Sequence, residues 1–172
     1  QAIEGLQNET ARINRVVAEK SIKYRTVPVL LQNPVTGKVE KRNAMLDDGS
    51  DTTIMCRKVA ESLRLKEVPF TTKICGVGGV DAGESRGVVQ MLIMSTDTRF
   101  KVNIEAKLYD CNELAPATDW KKVKSHPHLR NIEFPDPVPN EEVTLLIGCN
   151  YPKFHASLER DIIGPTGAPI AR

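Results

Sequence analysis

The sequence predicts an all-β single lobe that carries an N-terminal helical arm and one or two short helices. Three observations lead there: short apolar runs of strand type recur along the chain, clusters of Gly, Pro and Asn separate them, and helical spacing is confined to brief stretches. The 172 residues suit one domain with appendages and suffice to bury a real core. The expected organisation is a helical arm over residues 1–21, a main domain over 22–160 with an irregular insertion at 111–142, and an extended tail over 161–172.

In the arm, Ile3, Leu6, Ile13 and Val17 fall at three-four spacing with Thr10 filling the gap, which gives a helix one narrow apolar stripe. Two uses are open: packing against its own domain, or a dimer contact. From Arg25 the pattern turns to strand type. Val27, Val29, Leu30 and Leu31 run into the turn signal Asn33-Pro34-Val35-Thr36-Gly37, and Val39 to Leu46 returns as the second arm of a hairpin. Cys56 to Leu65 carries Val59, Ala60 and Leu63 at helical spacing and stops before Pro69, so a short helix is expected there. Strand patterns recur at Thr71 to Cys75, Val88 to Met94, Phe100 to Tyr109 and Val143 to Ile147. Between the first two of these, Gly76 to Gly83 holds four glycines in eight residues, a backbone suited to a mobile hairpin tip or to an ordinary flexible hairpin. The insertion contains Pro116, Pro127, Pro135, Pro137 and Pro139 with little periodicity, and one helical turn is expected around Trp120.

Composition narrows the function classes. Lys and Arg total 24 against 22 Asp and Glu, so no global basic field is available for nucleic acid. The cluster Lys121, Lys122, Lys124, His126, His128 and Arg130 reads as a solvated face. No apolar run approaches membrane-spanning length and no signal-peptide core is present, so a soluble, intracellular chain without a membrane partner is expected. Cys56, Cys75, Cys111 and Cys149 lie far apart in sequence, with no Cys-x-x-Cys pair and no His at zinc-ligand spacing; free thiols in a reducing compartment and no metal are expected. Asn8-Glu9-Thr10 matches the glycosylation pattern, which has no bearing without a secretory route. The chain opens at Gln1 with no initiator Met, as a segment of a longer polypeptide would.

The most informative stretch is Ala44 to Met55. An apolar strand delivers Asp47 into the tight turn Asp47-Asp48-Gly49-Ser50, and a second apolar strand leaves it. A lone Asp-x-Gly is common turn chemistry. Here it is joined by a late apolar-apolar-Gly element, Leu146-Ile147-Gly148, which can pack beneath the loop. Hydrolysing a peptide bond without metal or covalent nucleophile needs one group to activate water and another to protonate the leaving nitrogen. Two adjacent carboxyls sharing one proton supply both, because like charge drives their ionisations apart. The chain offers one convincing loop: Asp81-Ala82-Gly83 also has the Asp-x-Gly form but follows glycines rather than an apolar strand. A catalytic pair therefore requires Asp47 from each of two chains across a two-fold axis, and a homodimer is expected.

Leu46 to Met55 resembles the active-site segment of retroviral-type aspartic proteases, the retropepsins. Ile74-Cys75-Gly76-Val77-Gly78-Gly79 looks like their glycine-rich flap, and Leu146 to Asn150 like their late apolar-Gly motif. Trp120, the run Ser125-His126-Pro127-His128-Leu129, Phe134-Pro135-Asp136-Pro137 and the ending Ile163 to Pro169 are most similar to the protease domain in polyproteins of BEL/Pao-type LTR retrotransposons. The resemblance covers residues 22–170. It implies a retropepsin-like acid protease fold, a homodimeric aspartic endopeptidase without cofactor, and a polypeptide substrate held as an extended strand. It also implies residence in the cytoplasm or within intracellular virus-like particles.

By the same resemblance, Asp47 is the catalytic carboxylate in a loop with Asp48, Gly49 and Ser50. Asp51, Val77, Gly78 and Gly79 bind substrate, and Ile147 with Gly148 gives structural support. Two positions depart from the family pattern. Asp48 stands where Ser or Thr is usual, which puts two more carboxyls near the dimer axis, so that dimerisation or activity is expected to be favoured at acidic pH. Cys149 stands where viral enzymes commonly have an Arg that pairs with the acid matching Asp51, so Asp51 must find another cation or stay solvated. Both departures also suit an alternative, a catalytically inactive dimerisation or peptide-binding module of the same fold.

Overall fold

The computed structural model describes residues 24–156 and 162–165, so the expected arm and most of the expected tail lie outside the described residues. The chain adopts the all-β single lobe that the sequence predicts. Strands β1 (Thr26–Gln32), β2 (Val39–Leu46), β3 (Ile54–Cys56), β4 (Glu67–Cys75), β5 (Asp81–Met94), β6 (Lys101–Tyr109) and β7 (Val143–Ile147) form one sheet in the order β1-β2-β7-β3-β6-β5-β4. β1 also pairs with β5, Leu30 opposite Met94, so six strands close on themselves and β4 stays outside the ring as an edge. Two short helices, α1 (Arg57–Ser62) and α2 (Trp120–Val123), decorate it.

The β1–β2 hairpin turns where the sequence signals it. Asn33 is buried, and its Oδ1 accepts from the N–H groups of Val35 (2.8 Å) and Thr36 (3.1 Å). Its Nδ2 donates to Leu63 O (3.1 Å) and Arg64 O (2.7 Å), which fastens the hairpin to the end of α1. One side chain thereby satisfies four backbone groups.

α1 is shorter than the stretch expected from periodicity. It ends in a Schellman arrangement, with Arg64 N–H on Glu61 O and Leu65 N–H on Ala60 O, both 2.9 Å. Arg64 occupies the left-handed position, φ 55°, that usually falls to Gly.

β4 and β5 are longer than expected. Asp81 to Gly83, expected in the glycine-rich hairpin tip, instead opens a ladder with β4 that runs from Thr71 opposite Arg86 to Cys75 opposite Asp81. Gly83 (φ 107°) and Gly87 (φ 120°) lie inside β5, where they break side-chain alternation without breaking the strand.

The core gathers Leu31, Met55, Leu63, Met91, Ile93, Leu108, Leu145 and Ile147, all essentially inaccessible. A satellite cluster of Met45, Ala115 and Val143 attaches the insertion to β2 and β7. Asn43, fully buried, holds the far end of the insertion: its Nδ2 donates to Val138 O (3.1 Å) and Glu141 O (2.7 Å), and its Oδ1 accepts from Val138 N–H (2.8 Å). The helical turn expected around Trp120 is α2. Asp119 caps it, and the Trp120 ring stacks on Phe134 at 4.9 Å. In the basic cluster the Lys and Arg130 side chains are exposed, but His126 and His128 are half-buried, with the His128 ring packed against Gly164; the cluster is therefore not uniformly a solvated face. Among the described residues no helix is long and apolar enough to cross a membrane.

Candidate active site

Topology sets the site. β7 lies between β2, which it parallels, and β3, which it opposes, so the loop from Asp47 to Thr53 must cross the end of β7. The residue leaving β7 at that end is Gly148. A Cβ there would sit 2.6 Å from Thr52 O and 2.8 Å from Ser50 O, so any side chain would push into the loop backbone. Gly148 is needed for close approach rather than for an unusual φ.

Hydrogen bonds then fix the loop. Asp47 N–H donates to Ile147 O (3.0 Å), adding one rung beyond the β2–β7 ladder. The Asp47 carboxylate is half-buried, and its Oδ1 accepts from Gly49 N–H at 3.0 Å. This is the Asx turn that Asp-x-Gly favours. Ser50 N–H donates to Asp47 O (3.3 Å), and Cys149 N–H donates to Ser50 O (2.7 Å). Ser50 Oγ donates to Thr52 O (2.8 Å). Buried Thr53 closes the system from below: its Oγ1 accepts from Gly148 N–H (3.2 Å) and donates to Asn150 Oδ1 (2.9 Å). His155 Nε2 donates to Gly148 O at 3.1 Å.

Asp48 and Asp51 are exposed beside this frame. Asp48 Oδ2 lies 3.9 Å from Arg25 Nη1, a cation that the sequence reading did not pair with it. Asp51 Oδ1 accepts from the Thr52 hydroxyl at 2.8 Å, and among the described residues no cation takes the place of the missing arginine. Cys149 instead turns its thiol onto Asp48 O (3.1 Å), so it helps hold the loop backbone.

The second candidate segment is the β4–β5 hairpin. Its tip, Val77–Gly79, is a single turn in which Gly76 N–H bonds Val80 O (2.7 Å) and Gly79 N–H bonds Gly76 O (3.1 Å). Gly78 (φ 76°) and Gly79 (φ 77°) both need the left-handed conformation, and a Cβ on either would meet nothing within 4 Å. The hairpin is anchored both beside its tip, by Tyr109, and toward its root, by Arg57. Tyr109 Oη donates to Ala82 O (2.5 Å), while Arg57 bonds Glu67 (2.6 Å), Asp110 (2.5 Å) and the carbonyl of Arg86.

The structure thus joins Asp47, Gly49, Ser50, Ile147 and Gly148 in one bonded unit and sets the tip apart from it as an exposed hairpin. Sequence reading missed Thr53, Asn150 and His155 beneath the loop, Arg57 at the hairpin root and Tyr109 near its tip. A buried Thr opening an apolar strand was the available signal for the first; the others have no local signature.

Among solved structures, the chain resembles a retroviral protease. The structure titled "EIAV protease complexed with the inhibitor HBY-793" aligns with a TM-score of 0.45 and 16% identity, over 80% of this chain and 94% of that chain. No protein-family model matches the chain, and no curated protein matches it.

Proposed function

We propose that this chain is an aspartic endopeptidase, active as a homodimer with one Asp47 from each copy, that processes the polyprotein of a retroelement. One observation supports the reading above others: a half-buried carboxylate, oriented by a backbone N–H, sits on a loop seated on Gly148. A single such carboxylate can take up or release one proton, but peptide hydrolysis needs a base and an acid together. Pairing two copies supplies both.

In the pair, proximity of like charge leaves one Asp47 protonated and the other ionised. The ionised carboxylate draws a proton from water as the oxygen attacks the scissile carbonyl, and the protonated one hydrogen-bonds the carbonyl oxygen. The proton then passes to the leaving nitrogen. Gly49 N–H holds Oδ1 throughout, which keeps the carboxylate from turning away. The hairpin tip at Val77, Gly78 and Gly79 closes over an extended substrate and Asp51 accepts from its main chain, in the manner of strand addition. The expected setting is the cytoplasm or intracellular virus-like particles.

Asp47→Asn tests the reading. It is expected to lower cleavage of a peptide library by roughly 10²-fold to 10⁴-fold while the dimer persists in sedimentation. Wild-type protein that binds peptides but never cuts them between acidic and neutral pH would favour the inactive binding module, the alternative that Asp48 and Cys149 suggest.

A further inference from the structure

Cys56 and Cys111 are 55 residues apart in sequence, yet their Sγ atoms lie 2.7 Å apart. The register explains the meeting. β3 runs parallel to β6 with Cys56 opposite Tyr109, and the chain turns just beyond, with Cys111 N–H on Tyr109 O at 3.0 Å. Cys56 is fully buried and Cys111 half-buried, whereas Cys75 and Cys149 are exposed and the Cys149 thiol is engaged with Asp48 O. The pair also stands at a junction: Cys56 ends the strand that leaves the active-site loop, and Cys111 opens the 111–142 insertion.

We propose that Cys56 and Cys111 are a reversible redox site, closing into a disulfide that fastens the insertion to the end of β3. The co-reactant is a small disulfide of the glutathione type. Burial pushes the Cys56 thiol up, against ionisation, so the more accessible Cys111 is the first to attack the oxidant. The Cys111 thiolate takes one sulfur of the oxidant and releases one thiol. Cys56 then gives up its proton, its sulfur attacks Cys111 Sγ, and the second small thiol leaves. Two protein thiols are oxidised and one small disulfide is reduced to two thiols, so electrons and protons balance.

The test incubates the purified full chain with glutathione disulfide, alkylates the remaining thiols and maps the peptides without reduction. The expected result is a Cys56–Cys111 cross-link with Cys75 and Cys149 alkylated, reversed by dithiothreitol. The oxidised protein should unfold about 5 °C or more above the reduced one, because the cross-link constrains the unfolded chain. Cys111→Ser should abolish that difference without lowering the melting temperature of the reduced protein appreciably. A cross-link through Cys75 or Cys149, a mixed disulfide that stalls on Cys111, or equal alkylation of all four thiols after oxidation would overturn the proposal.

Discussion

The Asp47 loop and the tip of the β4–β5 hairpin are both short, glycine-bearing turns, yet they are built in opposite ways. The loop is bonded from several sides: β7 beneath it, Gly49 within it, and Thr53, Asn150 and Cys149 along its flank. The tip has two backbone bonds of its own and is exposed; a single side-chain bond, Tyr109 Oη on Ala82 O, holds the strand just past it, and Arg57 holds the root. Under the proposed function the difference has a use: a carboxylate that meets its counterpart at fixed range needs rigidity, and a segment that admits and covers a peptide needs to open at low cost.

Adding one methyl to each region should break the contrast most sharply. Gly148→Ala places a Cβ 2.6 Å from the Thr52 carbonyl, and backbone cannot yield as a side chain can. A loss of about 3 kcal/mol in urea unfolding is expected, together with activity. Gly78→Ala meets open space and suffers only the left-handed φ, so its cost of about 1 kcal/mol should stay local to the tip and appear as faster amide exchange there. Equal global destabilisation by both would refute the distinction.

Thr53→Val comes next. It keeps the shape but strips the hydroxyl that Gly148 N–H and Asn150 share, leaving a buried donor unmet. Denaturant titration should register about 2 kcal/mol. Arg57→Ala acts on the other region, releasing Glu67, Asp110 and the Arg86 carbonyl. Its expected effect is below about 1 kcal/mol globally, since the partners are partly exposed. Amide protection should fall along 81–86 and hold in 47–53.

The smallest effect is electrostatic and lies outside both turns. Glu40 is held below its ordinary value: burial opposes this, but the Ser62 hydroxyl and Lys38 and Arg42 outweigh it. A lowered carboxyl contributes stability that is present above the unfolded value of 4.5 and is lost as pH falls through the folded one. Glu40→Gln should therefore shrink the stability difference between neutral pH and pH below about 4.5, seen in thermal melts, while leaving the Asp47 loop unchanged.

Much of this was legible in the sequence because it is local. Period-two apolar runs place the strands, Asn33 to Gly37 specifies its own turn, and Asp47-Asp48-Gly49 carries the Asx bond within three residues. β5 was underestimated because Gly83 and Gly87 erase the alternation that marks a strand, although paired backbone tolerates them.

The amino-acid order by itself determined a β-rich lobe and an acid presented on a tight turn, since both follow from short-range periodicity and turn chemistry. Tertiary structure decided what lies under and beside that acid. Threading β7 between β2 and β3 makes Gly148 obligatory and puts Thr53 and Asn150 beneath the loop, and pairing β3 with β6 brings Cys56 against Cys111. These are contacts between residues about 50 to 100 positions apart, and pairing register, which no local pattern encodes, is what brings them together.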